Sequence, residues 1–577
     1  MADDRVFNAP WSDKTKSKMV SESPVTEAQP QHEQQLPEKG FEDVDYEKYG
    51  ASRESNPLPE LKRKLKSRHL QMIAIGGTIG TGLFISSGTA IVDAGPVGAL
   101  IAYIFVGTIV YSVMTALGEL ATYIPIPGSF TTYAARLIHP SLGFSMGWIY
   151  WFSWASTFAL ELTTTGLIIQ FWDSTIPISI FIAVFWVMII IFNLMPVSFY
   201  GEMEFWFSSI KVITVIGFMI FAICMNAGVG DEGYIGFRYW VDPGPFVAPK
   251  AYLVETMTPS VAKFVGFWSV LIKAGFSYQG TELVGIAAGE TENPRKTVPS
   301  AIRKTFIRIV VFFILTIFFI GIVVPSTDDG LVTSEGAGAD AYNANASPFV
   351  IAANRAGVSV LPDIINAVLL TVVLSAANSN VYSGSRIIVG LAQEGFAPHF
   401  MKKTSKGGVP YYAVGFTAAF GLLGFLNVSN EGAEVFNWLL QISGVAGFIT
   451  WCSLNACHIA FQRALKARDV SRDILPYKAI WQPWLSYYGL FFNILIILTQ
   501  GFTSFIPHFQ VKEFFISYLS LILFVVLYLG HWALFRPKFV KPLDADLDTG
   551  RTTFDNETWE TTEPTTWYGK AWHWICD

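Results

Sequence analysis

The segment LKSRHLQMIAIGGTIGTGLFISSGTAIVDAGP, Leu65 to Pro96, joins a basic flank to a membrane-grade apolar stretch interrupted by glycines and hydroxyls from Gly76 to Gly82. Gly76, Gly77, Gly80 and Gly82 all weaken a helix. In hydrocarbon, each backbone group they free needs a partner inside the protein or in a water-filled site. A helix broken at membrane depth therefore predicts a solute site.

The rest of the chain supports a membrane setting. Hydrophobic residues make up 52% of the 577 and charged residues only 15%, too apolar for a soluble multidomain protein. Twelve stretches approach the ~20 residues that cross a bilayer. They are 70–92, 97–121, 143–171, 177–197, 206–228, 263–288, 307–325, 363–392, 411–428, 435–461, 485–506 and 516–535. An even number returns both ends to one side. Basic clusters fall on that side: Lys62, Arg63, Lys64, Lys66 and Arg68 before the first span, and Arg295, Lys296, Arg303 and Lys304 after the sixth. Lys402, Lys403 and Lys406 follow the eighth, Arg463, Lys466, Arg468, Arg472 and Lys478 the tenth, and Arg536, Lys538 and Lys541 the last. The opposite loops carry chiefly Arg238, Lys250, Arg355 and Lys512, so the positive-inside rule puts both termini in the cytoplasm.

The expected organisation is a disordered cytoplasmic tail over 1–61, a transmembrane transporter domain over 62–540 and a cytoplasmic C-terminal tail over 541–577. No signal-peptide pattern is expected at the N-terminus. Cys224, Cys452, Cys457 and Cys576 are scattered, which implies neither a disulfide framework nor a zinc site, and no metal is expected. Two sequons, Asn345-Ala-Ser347 and Asn427-Val-Ser429, lie in or beside outer loops. No P-loop, nucleophile elbow or HExxH motif points to an enzyme.

The sixth span repeats the weak point of the first, at Gly275-Phe-Ser-Tyr-Gln-Gly-Thr-Glu282. One glycine-rich helix is better explained by close packing. Two at matching positions, each mixed with hydroxyls and each opening a block of five spans, predict an inverted repeat with paired discontinuous helices and a midplane site. The expected fold is thus an all-α integral membrane protein of twelve helices, a 5+5 inverted-repeat core with helices 1 and 6 discontinuous, and two additional helices. Half-helix N-termini suit a carboxylate, and facing carbonyls suit an ammonium. Thr78, Gly80, Thr81 and Gly82 are assigned to the carboxylate of an amino acid, and the backbone around Phe276, Ser277 and Gln279 to its ammonium, with the Phe276 ring as a cover.

Intramembrane ionisable groups cost ~2.5 to 3.5 kcal/mol each on insertion scales, so Glu119, Glu161, Lys211 and Glu282 are functional candidates. Glu161 sits well inside the third span, with Ser153 two turns earlier on the same face, and the two could hold a cationic side chain; a protonated acid bonded to a neighbouring helix is the alternative. Glu119 fits an interfacial gate and a proton carrier equally. Lys211 could replace a bound sodium ion, but snorkelling to the surface is the better reading. Glu282 follows the break, where a structural role beside a half-helix N-terminus and proton transfer weigh the same, and Lys273 is structural. The run Ser375-Ala-Ala-Asn-Ser-Asn380 must face protein or water, either as a coupling region against the first span or as a plain interhelical seam. Ser443, with Gly444, opens a small-residue stretch in the tenth span.

The strings IAIGGTIGTGLF (Ile73 to Phe84), GFRYW (Gly236 to Trp240), GETENPRKTVPSAIRK (Gly289 to Lys304), SAANSNVYSGSR (Ser375 to Arg386) and KGGVPYYAV (Lys406 to Val414) resemble the fungal amino-acid permeases of the amino acid-polyamine-organocation superfamily. The similarity runs from about residue 62 to about 555. It implies a LeuT-like five-plus-five fold, plasma-membrane residence and proton-coupled uptake, with the proton as coupling ion and no cofactor. FSWASTFALEL (Phe152 to Leu162), YGEMEFWFSSIKV (Tyr200 to Val212) and FSYQGTELVGIAAGE (Phe276 to Glu290) look most like the basic branch, the lysine and arginine permeases. In that branch, cation selection is attributed to positions matching Ser153, Glu161 and Ser443. Arginine-type members tend to carry Thr where this chain has Ser443, so the resemblance leans to L-lysine. The alternatives are an arginine-preferring or broader-range permease and, less favoured, an amino-acid sensor on the same fold. The family also implies that Lys14, Lys16, Lys18, Lys39 and Lys48 are sites for ubiquitin-dependent endocytosis.

Overall fold

Helices make up every regular element among the described residues of the computed structural model. These are 79–548, apart from 125–128, 174, 249–255, 288–298, 303, 305–306, 332–346, 429–431 and 507, and all lie in the unit Glu47–Asp577. Thr78, the first half of the first span, most of the Gly289–Lys304 string and the first sequon lie outside them.

The chain enters α1 (Thr81–Phe84) and, past Ile85, α2 (Ser86–Tyr123). The first two expected spans are not separated by a loop. They form one run bent at Gly95, whose φ of +77° glycine adopts at no steric cost, with Pro96 immediately after. The freed backbone groups find partners in a distant loop: Val97 and Gly98 N–H donate to the Pro245 carbonyl at 3.1 and 3.3 Å, and Val247 N–H donates to Ala94 O at 3.2 Å. There follow α3 (Ser129–Leu137), α4 (Pro140–Ile169), α5 (Ile178–Leu194) and α6 (Val197–Asn226). The start of α6 at Val197 precedes the expected 206, and the added turns carry the buried Glu204.

The sixth span is broken as expected. Helix α7 (Pro259–Tyr278) stops, Gln279 is extended and Gly280 has φ +89°, and a short α8 (Leu283–Ala287) resumes. A π-helical turn, Ile309–Ile314, leads into α9 (Leu315–Val323). The remaining helices are α10 (Pro348–Arg355), α11 (Leu361–Gln393), α12 (Tyr411–Phe420), α13 (Gly432–Ala467), α14 (Trp484–Thr499) and α15 (Val511–Phe535).

Six helical runs among the described residues are long and apolar enough to cross a membrane, and three shorter apolar ones accompany them. Ile213, Ile216, Ile220 and Ile223 recur at helical spacing on the exposed face of α6, where a soluble protein would be polar. Helix α4 is the opposite case. Every residue from Ser153 to Gly166 is buried, and α4 packs against α3, α11, α13 and α15. That central position carries Ser153 and Glu161 into the middle of the protein.

Candidate functional site

The start of α1 meets the break in the sixth span. Gly80 is extended, and its carbonyl accepts from Leu83 and Phe84 N–H at 3.1 and 3.3 Å as α1 begins. Gly82 lies directly on the end of α7: a methyl built there would stand 2.6 Å from the Ser277 Cα and 3.0 Å from its Oγ. Because the clash is with backbone, no side-chain rotation relieves it. Gly82→Ala is therefore expected to force α1 and α7 apart and cost ~1 to 3 kcal/mol, read as a lowered melting midpoint of the solubilised protein together with lost transport.

Glu161 faces this junction from α4. The Thr81 hydroxyl donates to its carboxylate, and a Cβ on Gly80 would lie 3.8 Å from its Oε1. A second set converges from α4, α7 and α13. The Ser153 hydroxyl donates to Ser443 O at 3.2 Å, the Ser443 hydroxyl reaches back to Ser153 O at 3.5 Å, and Gln279 Nε2 donates to Ser443 O at 2.6 Å. Phe276 packs with Ile85, Ala159, Leu160, Leu439 and Leu440 beside the break. The Ser277 hydroxyl bridges Tyr103 OH at 2.8 Å and Lys273 O at 3.0 Å. Of the residues expected to line a substrate, Gly80, Thr81, Gly82, Ser153, Glu161, Phe276, Ser277, Gln279 and Ser443 are thus brought around the paired breaks.

Lys211 corrects its expectation. It does not snorkel: its side chain is wholly buried, its ammonium lies 3.6 Å from Glu204 Oε1, and it interacts electrostatically with Glu161. Glu204 is equally buried and is absent from the expected site residues. Ser375 and Ser379 hydroxyls donate to its Oε2 at 2.9 and 3.2 Å, and Ser208 to its Oε1 at 3.3 Å. The polar run of α11 accordingly meets α6 and also adjoins the first span, with the Ala376 Cβ 3.5 Å from a Cβ built on Gly80. The signal for Glu204 was the seven-residue spacing to Lys211, two turns on one helix face. Starting the span at 206 concealed it. Lys273 is also more than a dipole complement, since its ammonium bonds Asp93 Oδ2 at 2.6 Å and ties α7 to α2.

A family model for amino acid permeases matches residues 69–543. The chain belongs to the amino acid permease family. This permease is 47% identical over 523 residues to the basic amino-acid permease of Saccharomyces cerevisiae, with 90% of each chain covered. It is 48% identical over 513 residues to the lysine-specific permease of the same yeast, covering 89% of this chain and 82% of the relative. A lysine/arginine permease of Candida albicans is 46% identical over 532 residues, with 90% and 91% covered. Family membership marks a multi-pass membrane transporter rather than an enzyme.

The other two acidic candidates in the permease are held by dense local networks. Glu282 accepts from Tyr150 OH at 3.1 Å, Trp451 Nε1 at 3.3 Å, Thr281 Oγ1 at 3.3 Å and Gly280 N–H at 3.4 Å, so it fastens the broken sixth span to α4 and α13. Glu119, at the far end of α2, is wholly buried and paired with Arg472. It also accepts from Gln462 Nε2 at 2.7 Å and Ala479 N–H at 2.9 Å, and lies 2.9 Å from His458 Nε2. Its partners come from α13 and the following loop, and none of them is one of the residues around the paired breaks.

Proposed function

We propose that this permease is a plasma-membrane, proton-coupled symporter that imports basic amino acids, L-lysine first, by alternating access. The observation that carries the reading is the buried carboxylate of Glu161, which accepts from the Thr81 hydroxyl where α1 begins and so supports a counter-ion role beside the half-helix ends. The names of the three relatives, a basic amino-acid, a lysine-specific and a lysine/arginine permease, support the cargo class. The proposed architecture is twelve spans in a LeuT-like five-plus-five core with two added helices, both termini cytoplasmic, tails over 1–61 and 541–577, and the N-terminal tail open to ubiquitin-dependent endocytosis. In that frame Thr78, Gly80, Thr81 and Gly82 hold the cargo's carboxylate, the backbone at Phe276, Ser277 and Gln279 holds its ammonium, and Glu161 with Ser153 and Ser443 selects the cationic side chain. Glu119, Lys211 and Glu282 complete the set of ionisable groups proposed for coupling or its support.

The membrane potential acts directly on such a cargo. Each inward charge gains ~2.3 kcal/mol per 100 mV, so lysine plus one proton gains ~4.6 kcal/mol, roughly a 2000-fold gradient. The deciding assay is uptake of radiolabelled L-lysine into cells lacking their own basic permeases, with L-arginine, L-histidine and L-leucine as competitors and a protonophore control. Protonophore-sensitive uptake that arginine inhibits and leucine leaves intact is expected; no uptake from a surface-expressed protein rejects the cargo. Ser443→Thr adds one methyl to a fully buried position between Ser153 and Gln279. It is expected to shift the lysine-to-arginine ratio of kcat/KM toward arginine by about tenfold, the scale of a single methyl in a selective pocket. An unchanged ratio would remove Ser443 from selection.

A further inference from the structure

We propose that residues 536–548 form a strap that holds α3 against the inner half of the broken sixth span and so restrains opening of the site toward the cytoplasm. The inference rests on the alternating-access reading above. Helix α15 ends at Phe535, Arg536 takes a left-handed turn with φ +47°, and the chain beyond it passes over the ends of other helices. Ala545 and Leu547 are only 1% and 2% exposed and belong to the main core. A tail hanging free would leave both in water.

The contacts of the strap run across three helix ends. At the junction of α3 and α4, Val540 N–H donates to Ile138 O at 2.9 Å, His139 Nε2 lies 3.2 Å from the Pro537 carbonyl, and the His139 and Phe539 rings are 4.5 Å apart. Just past α13, Arg468 donates to the Leu543 carbonyl at 3.3 Å and to the Ala545 carbonyl, and pairs with Asp548 at 3.2 Å. On α3 itself, Arg136 stands between Asp546 of the strap at 3.5 Å and Glu394, just past α11, at 3.4 Å. The Thr132 hydroxyl donates to the same Glu394 carboxylate at 2.9 Å. The strap thus ties α3 to the ends of α11 and α13.

What α3 faces gives the strap its consequence. Helix α8, the half-helix that resumes the sixth span after Gln279 and Gly280, packs against α3. The fit is close: a methyl built on Gly285 would stand 2.9 Å from the Phe130 ring on α3 and 2.9 Å from the Leu117 side chain on α2. Phe130 also meets Tyr150 edge-on with centroids 5.4 Å apart, and the Tyr150 hydroxyl donates to Glu282 at the break at 3.1 Å. Freeing a cargo from the paired breaks toward the cytoplasm requires α8 to shift, and across so tight a contact it cannot slide unless α3 gives way. The strap sets how readily α3 gives way. Its ion pairs touch solvent, so each is weak enough to break and re-form within a transport cycle.

The test compares the full wild-type chain with Arg468→Gln/Asp546→Asn, which removes the charged ties of the strap and keeps Arg136 on Glu394, both reconstituted in lipid vesicles. Two quantities are read: hydrogen–deuterium exchange of peptides from α3 and α8 by mass spectrometry, and the rate of radiolabelled L-lysine counterflow. Exchange in α3 and α8 is expected to rise about three- to tenfold, the scale of two partly exposed ion pairs, with α7 and α10 unchanged and counterflow faster. Unchanged exchange in α3 and α8, or unchanged counterflow, overturns the proposal. Exchange raised throughout the protein with slower counterflow also overturns it, since the strap would then serve packing alone. Should the double variant fail to fold, Asp546→Asn/Asp548→Asn keeps both arginines and decides by the same readings. Wild-type vesicles that take up neither lysine nor arginine reject the cargo reading, whereas the exchange comparison needs no cargo and still decides whether the strap holds α3.

Discussion

Lysine uptake by Glu161→Gln is expected to fall by roughly 30-fold to several-thousand-fold, the equivalent of ~2 to 5 kcal/mol, while the amount of protein at the cell surface stays the same. Glutamine keeps the size of the side chain and a carbonyl oxygen for the Thr81 hydroxyl, so the contact that joins α4 to α1 survives. What is lost is the negative charge. A buried cation whose partner is neutralised bears its full desolvation penalty, and a lysine side chain entering this site would be such a cation. Lys211 would act in the same direction, since its charge interacts with Glu161 and would be left to repel the cargo. The measurement is initial-rate uptake normalised to surface protein. Near-normal lysine uptake would show that Glu161 is not the counter-ion, and a gain in leucine uptake would show that it is the selectivity element.

Arg472→Ala should destabilise the folded protein by about 3 kcal/mol, the low end for breaking a buried pair, because the guanidinium is partly open to solvent while Glu119 is not. The substitution removes more than one bond. Besides the charge pair with Glu119, Arg472 Nη1 donates to Gln482 O at 2.8 Å and Nη2 to Ala479 O at 2.7 Å. Without it, Glu119 retains Gln462, the Ala479 amide and His458, but no fixed positive charge. Glu119→Gln in the Arg472→Ala background is expected to recover most of the loss, since an amide needs no compensating cation. Thermal unfolding of the solubilised variants checks both expectations. A double variant no more stable than Arg472→Ala would mean that the carbonyl contacts, rather than the charge pair, hold this end of α2.

The membrane setting and the paired breaks were legible in the chain because both are local properties. Twenty apolar residues, or glycines and hydroxyls interrupting them, impose the same requirement on the backbone wherever the helix is placed. Gly280, with φ +89°, bears this out at the sixth span, and Gly80 is extended where α1 begins. The bend at Gly95 was less legible, because Gly-Pro reads equally as a loop between two helices; the backbone of Pro245 and Val247, far along the chain, turned it into a kink. Glu161 and Lys211 could be named as unusual from sequence, yet their relation could not.

Sequence by itself determined that this chain is a helical membrane protein with two weakened helices and a few costly charges within them. It did so because backbone satisfaction and insertion cost depend on residues within one helix. Only the tertiary structure decided what each charge faces: Lys211 with Glu204, Lys273 with Asp93, Glu119 with Arg472, Ser153 with Ser443. Electrostatic energy depends on distance between side chains, and for groups as far apart in the chain as Glu119 and Arg472 that distance is set by how helices pack rather than by which residues precede or follow.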